Sequence, residues 1–459
     1  MKHYYTTTNR LPYKKRIRNR CLAIAGLVLI GFGIGALIFG NDPASEPNDE
    51  PTTAAEEAAL EETEEYGEYS QDKQEYSKKL AAFEAEEAAA ENKRKEDNLQ
   101  NTRSTLVAEM APGNAPEVEV IDSVHIKKQK NVFLAEKIDQ MLRRYRPDYG
   151  VILVVDAKSN EIIAWGERRD NKVQNQPDYF VKNSFPAASL AKTVTIAAAM
   201  ESNRYSLDTE IPMRGASHTL YKSQLKVSDD YTGPTIPLED AYAKSSNAPL
   251  AIIGMNVGAN KLRKAAKNLG YNINFPGGIP ARANYAPPDT GYGLAETSCG
   301  FTESTTLPPL LAAAQVRAIL MKQPLEIPWA ANLAPYAPTS RKALDGVTKF
   351  SENTYYGLRE AMIRTVTNGT ARKHMSRKNM ARKNYDALVM GGKTGSLDGK
   401  DPAGRYEWYM GFAQSKSDAN KAIVVVVMQV HKEIRSQPAT QVAAVIINHW
   451  AHQNLNLGK

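Results

Sequence analysis

Two β-branched runs, VILVVD at Val151–Asp156 and AIVVVVMQV at Ala422–Val430, stand near opposite ends of the C-terminal part of this chain. Both read as strands, and Glu161–Trp165 follows the first as a partner beyond a turn at Ser159-Asn160. Val118–Ile126 alternates like a further strand, Asn131–Tyr145 has the period of an amphipathic helix, and Pro438–Ala451 closes the domain as a helix. Mostly helix-forming sequence lies between the runs. Strands at both ends of one long domain imply an α+β fold whose antiparallel sheet is assembled from parts far apart in sequence. With 459 residues, 42% of them apolar, the chain has enough to bury such a core, and a wholly disordered or fibrous protein is excluded.

A different signal dominates the N-terminus. Cys21–Phe39 is a run of 19 apolar or glycine residues, and a helix of that length covers roughly the 30 Å hydrocarbon core of a bilayer. Lys14, Lys15, Arg16, Arg18 and Arg20 precede it and an acidic segment follows. The positive-inside rule therefore predicts a single-pass anchor at 21–39 in the cytoplasmic (inner) membrane, with residues 1–20 as a cytoplasmic basic tail and the rest exported. A cleaved signal peptide is the rival reading; the run is longer than the usual signal core and no small-x-small site follows it. Gly31 and Gly35 have helix-dimerisation spacing, a spacing common in such helices. Residues 40–117 read as an acidic spacer followed by a helical stalk. The first part has almost nothing to bury, and Gln71–Met110 favours helix as a stalk, a weak coiled coil or an isolated surface helix until Pro112, Gly113 and Pro116 stop it. The globular domain is expected over 118–455.

The net charge of +7 conceals blocks: residues 1–40 carry seven Lys/Arg and no acids, residues 41–92 carry 17 acids against three Lys, and the remainder carries +14. The two cysteines, Cys21 and Cys299, are too far apart in sequence and setting to suggest a disulfide framework. Neither they nor the seven histidines show metal-ligand spacing, so neither a metal nor another cofactor is expected.

The chemistry-bearing residues come in three clusters. FPAASLAK places Ser189 and Lys192 three apart at the start of an Ala- and Val-rich helix, on one face, so that the amine reaches the hydroxyl. Burial against Ala and Val would free the amine of its charge, and a neutral lysine takes a proton from an attacking serine. AYAKSSN supplies Ser245 and Asn247; GGKTGS supplies Lys393, Thr394, Gly395 and Ser396. Ser-x-x-Lys recurs at Ser70/Lys73 and Ser223/Lys226, where a solvated pair is the bland reading, and Ser-x-Asn recurs at Ser351/Asn353, where a helix cap is. Only Ser189 has the other two clusters in its company.

Ser-x-x-Lys, Ser-x-Asn and Lys-Thr-Gly in this order resemble the signature of penicillin-binding proteins and class A β-lactamases. Residues 118–452 are similar to a penicillin-binding transpeptidase domain: GVILVVDAKSNEIIAWG resembles its opening hairpin, PLEDAYAKSSNAPLAIIGMNVGANKLRKAAKNLGY its helical subdomain, GLAETSCGFTESTTLPPLLAAAQVRAI its long core helix, EAMIRTVTNGTARK its run into a Gly-Thr-Ala turn, and EWYMGFA the strand after Lys-Thr-Gly. The resemblance implies an antiparallel sheet flanked by helices with an all-helical subdomain. It implies that Ser189 attacks the penultimate carbonyl of a D-Ala-D-Ala stem peptide while Lys192 takes its proton. Ser245 then relays a proton with Lys393, and Asn247 holds the substrate amide. The backbone N–H groups of Ser189 and Ser396 form the oxyanion hole, and Lys393, Thr394 and Ser396 bind the terminal carboxylate. Gly395 is expected to let substrate approach the strand edge closely. β-Lactam antibiotics are implied as covalent ligands, a membrane-embedded glycan polymerase as a partner, and nucleic acid is not.

Departures from the family pattern are Ala187, Ala188 and Ala191, where Pro-Gly before the serine and an aromatic before the lysine are usual, and Ser396, where Thr is commoner. A D,D-carboxypeptidase differs only in using water as acceptor. The alternatives are a β-lactamase or β-lactam sensor, for which Glu296 is the acid in the relevant interval, and a non-catalytic cell-wall scaffold. The basic run Arg372, Lys373, Arg377, Lys378, Arg382, Lys383 reads as a solvated loop that could face anionic glycan or lipid headgroups.

Overall fold

A computed structural model describes residues 127–455, apart from Asn171, Asp229 and Ile434. The basic tail, the 21–39 anchor, the spacer and stalk, Ser70/Lys73 and the strand expected at Val118–Ile126 lie outside the described residues. Among the described residues no helix is long and apolar enough to cross a membrane.

The sheet is built from β1 (Tyr149–Asp156), β2 (Ile162–Arg169), β3 (Lys172–Gln174), β4 (Leu388–Lys400), β5 (Ala403–Ser415) and β6 (Ala422–His431). Its order is β3-β2-β1-β6-β5-β4, and every neighbouring pair is antiparallel. The two runs singled out in the sequence lie side by side, with Leu153 opposite Val426. Their lack of polar alternation now has a cause. Val151, Leu153 and Val155 join Val424, Val426 and Met428 in one core, and Ile152 and Val154 join Ile423, Val425 and Val427 in another. A strand covered on both faces leaves few positions for a polar side chain.

Helix α1 (Val132–Tyr145) and the closing helix cover the second face. Asn131 caps α1 by accepting from the Leu134 amide at 3.0 Å, and Arg146 ends it in the left-handed region. On the first face lie α2 (Lys192–Glu201), α3 (Leu238–Ala243), α4 (Asn247–Val257), α5 (Ala259–Asn268), α6 (Gly291–Cys299), α7 (Pro309–Met321) and α8 (Glu352–Thr367), while α9 (Ala439–Asn454) is the closing helix. Helices α3 to α6 supply the helical subdomain, and α2 is buried along nearly its whole length. Such a helix, covered on every side, belongs in the middle of a domain.

One expectation is corrected. The stretch matched to a single long core helix is two helices, α6 and α7. Gly300, at φ +72°, ends the first, and Pro308 precedes the Pro309 that opens the second. A left-handed glycine stops the ladder, and a proline cannot continue it but can start the next.

Candidate active site

The residues before α2 form a single tight turn, Ala188–Ala191. Ala188 is held at φ +49° and fully buried, in the region where a Cβ costs about 1–2 kcal/mol and glycine is the relaxed choice. This turn leaves Ser189 partly open to solvent while the next turn carries Lys192 into the interior. The three-residue spacing does bring them together: Lys192 Nζ donates to Ser189 Oγ at 2.8 Å.

The amine has two further acceptors, Asn247 Oδ1 at 2.8 Å and the Cys299 carbonyl at 2.6 Å. Burial strips the ammonium of water and brings its pKa down to about 8, with the Cys299 thiol beside it acting the other way. That opposition is weak at neutral pH, because burial pushes the thiol up to about 11 and keeps it neutral. Both carbonyl oxygens can only accept. A neutral Lys192 therefore spends its two N–H groups on them and turns its lone pair toward the Ser189 hydroxyl.

Ser245 and Asn247 flank the junction of α3 and α4. Ser245 sits at φ +58°, a conformation that turns its hydroxyl to Lys393, whose Nζ donates to Ser245 Oγ and to the Thr394 carbonyl, each at 2.9 Å. Lys393 is fully buried and lies 5.3 Å from the centre of the Tyr242 ring. Burial first, and the charge of Lys192 second, hold its pKa well below the usual lysine range. Two buried lysines thus face two serine hydroxyls in one site.

Lys393 to Ser396 lie on β4, the edge strand, so one side of the backbone here is not covered by another strand. Thr394 Oγ1 is 2.5 Å from Thr370 Oγ1, and the Ser396 side chain is exposed. Ser189, Ser245, Asn247, Thr394, Gly395 and Ser396 all line one cleft of about 780 Å³. Gly395 also has a steric part within the fold. A methyl there would stand 3.2 Å from the Ala187 carbonyl and 3.3 Å from Ala188 Cβ, so the missing side chain lets the strand close on the turn that carries Ser189.

All eight residues singled out from the sequence are gathered here. The rival pairs are not: Ser223 and Lys226 are exposed, and Ser351 caps α8 by accepting from the Thr354 amide. Glu296 does not line the cleft; its carbonyl accepts from the Phe301 amide. None of the named residues of the basic run lines the cleft, although Thr370 and His374 beside them do, and Arg377 is paired with Asp386 at 2.7 Å. Sequence reasoning missed the Cys299 carbonyl, Gly300, Thr370 and His218. A backbone carbonyl has no residue-type signal, and His218 stands alone in an irregular loop. Thr370 alone had a cue, in the Gly-Thr-Ala turn. Among the described residues no cluster of His, Cys, Asp and Glu could hold a metal ion.

Comparison with known proteins agrees with this geometry. The penicillin binding protein transpeptidase domain family matches residues 150–448. Peptidoglycan D,D-transpeptidase PbpA of Mycolicibacterium smegmatis is 25% identical over 279 residues, 58% of this chain and 54% of that protein. The protein of the same name from Mycobacterium tuberculosis H37Rv is 24% identical over 285 residues, with the same shares. The chain spans about half the length of the curated relatives it matches. In fold, it resembles the TP domain of Burkholderia pseudomallei penicillin-binding protein 3, with a TM-score of 0.52 at 16% identity over 74% of this chain and 97% of that one. A peptidoglycan glycosyltransferase structure from Burkholderia ambifaria gives a TM-score of 0.51 at 16% identity, covering 71% and 94%. With its three clusters in one cleft and the family match running through more than half of its length, the chain belongs to the penicillin-binding proteins, as a carrier of their transpeptidase domain.

Proposed function

We propose that this protein is a membrane-anchored D,D-transpeptidase that cross-links peptidoglycan stem peptides through an acyl-enzyme on Ser189 and is acylated by penicillin at the same atom. The observation that carries the reading is the set of three acceptors around Lys192 Nζ, which leaves a neutral amine's lone pair on Ser189 Oγ. Ser189 Oγ attacks the penultimate D-Ala carbonyl carbon as its proton passes to Lys192. The oxyanion is held by the backbone N–H groups of Ser189 and Ser396, a contribution of roughly 3–4 kcal/mol per donor. Lys192 and Lys393 pass a proton through Ser245 to the departing D-Ala nitrogen, and the C–N bond breaks. Thr394 and Ser396 hold the terminal carboxylate, and Asn247 holds the substrate amide. Residues 21–39 keep the domain at the outer face of the membrane, beside a glycan polymerase. Water in place of the acceptor amine makes the same site a carboxypeptidase.

Fluorescent penicillin tests the reading on the full chain in detergent. A long-lived adduct that Ser189→Ala abolishes supports it. Rapid turnover of the adduct favours a β-lactamase, and no adduct on a folded parent favours a scaffold.

A further inference from the structure

His218 is the imidazole at the mouth of the cleft that the reaction above does not use. It lies in the loop between the short strands Glu210–Pro212 and Thr235–Pro237. That loop is stitched to the catalytic cluster: the Asn247 backbone amide donates to the Ser217 carbonyl at 2.7 Å, and Asn247 Nδ2 donates to the His218 carbonyl at 2.8 Å. Tyr292 Oη ties the same loop down through the Leu220 carbonyl at 2.6 Å. The loop backbone is therefore fixed at this place, and the His218 side chain lines the cleft with Ser189, Ser245 and Asn247. The other cleft imidazole, His374, is engaged by Thr440 at 2.7 Å.

Partial burial first, and the charges of Lys192 and Lys393 second, oppose protonation of His218, while the Ser245 carbonyl favours it. The ring thus rests neutral at neutral pH. An N–H turned to the Ser245 carbonyl would leave the other nitrogen as an acceptor. The second half-reaction needs such a group. The acceptor amine arrives as an ammonium, which has no lone pair.

We infer that His218 is the base that deprotonates the incoming acceptor ammonium, an inference that rests on the acyl-transfer reading above. The ammonium gives one proton to the free ring nitrogen and becomes an amine. Its lone pair forms the C–N bond to the acyl carbonyl carbon of the Ser189 ester. The nitrogen's second proton returns through Ser245 and Lys192 to Ser189 Oγ as the C–Oγ bond breaks, and the imidazolium releases its proton to water.

The test uses the full chain in detergent, a benzoyl-D-alanyl thioester as donor and D-alanine as acceptor, and compares the parent with His218→Gln. Glutamine keeps a polar side chain of similar reach but is not a base. The readout is the ratio of aminolysis to hydrolysis, which is internal to one acyl-enzyme, so any change in acylation cancels. At pH about 7 the ratio is expected to fall about tenfold or more in His218→Gln. At pH about 10, where the amine is largely neutral without help, the two proteins are expected to agree. A ratio unchanged at both pH values, or lowered equally at both, overturns the inference. A parent that forms no Ser189 ester at all overturns the acyl-transfer reading itself and the inference with it.

Discussion

Lys192 Nζ stands 2.8 Å from Ser189 Oγ and is held there from behind by Asn247 Oδ1 and the carbonyl of Cys299. Three acceptors suit an ammonium, and two of them are carbonyls that cannot donate. Deprotonation therefore leaves the amine in place and opens only the contact with Ser189. An amine held in this way needs no rearrangement to accept a proton from Ser189.

The first consequence concerns pH. Acylation by penicillin should climb as Lys192 loses its proton, with a midpoint near the pKa of about 8, and level off above it. The same group bears on stability. An unfolded lysine titrates near 10.4, so between about pH 8 and that value the unfolded chain holds a proton that the folded one has released. Stability should accordingly rise across this window, and the penalty of burying the ammonium should be fully present below it. Stopped-flow acylation and thermal melts at stepped pH check the two signs.

Replacing Lys192 by methionine separates catalysis from folding. The variant keeps much of the apolar stem and removes the buried cationic group, so Tm at neutral pH should rise. Acylation should fall by about 10²-fold or more. A variant that melts lower while acylating normally would remove Lys192 from the role of base.

Asn247→Asp places a carboxylate where the amide oxygen now accepts from Lys192. An opposite charge at that range stabilises the ammonium and lifts its pKa by about 1–3 units. The rising limb of acylation should move up by the same amount, and the rate at pH 7 should drop. Asn247→Ala also loses the bond to the His218 carbonyl but adds no charge, so its limb should not follow. Acylation rates of both variants across pH decide the point.

Gly300 packs under the turn that carries Ser189. A Cβ built there would lie 2.0 Å from the Ala188 carbonyl oxygen, and the residue is at φ +72°. Gly300→Ala should therefore cost about 1–3 kcal/mol of stability through the left-handed backbone alone. It should also slow acylation, by displacing both the Ser189 turn and the neighbouring Cys299 carbonyl. Chemical denaturation and penicillin labelling measure the two effects. Normal acylation in a destabilised Gly300→Ala would show that the turn tolerates the displacement.

Much of the fold was legible because its signals are local. The strongly apolar run at Ala422–Val430 and the helical period at Asn131–Tyr145 reflect burial patterns that repeat within a few residues. The break between α6 and α7 was missed although Gly300 and Pro308 were visible, because the apolar stretches on both sides suit one helix as well as two. Propensity does not say which glycine must turn left-handed.

For the site, the amino-acid sequence by itself determined which groups can do the chemistry: Ser189, Lys192, Ser245, Asn247 and Lys393 are chosen by side chain, order and, for the first pair, helical spacing. Only the tertiary structure decided what those groups are. It buried both lysines, set Ser245 at a positive φ, and placed the Cys299 carbonyl behind Lys192 and His218 at the cleft mouth. The reason is physical. The state of an amine depends on its loss of water and on its nearest dipoles and charges, and these come from residues distant in sequence and from backbone atoms that every residue shares.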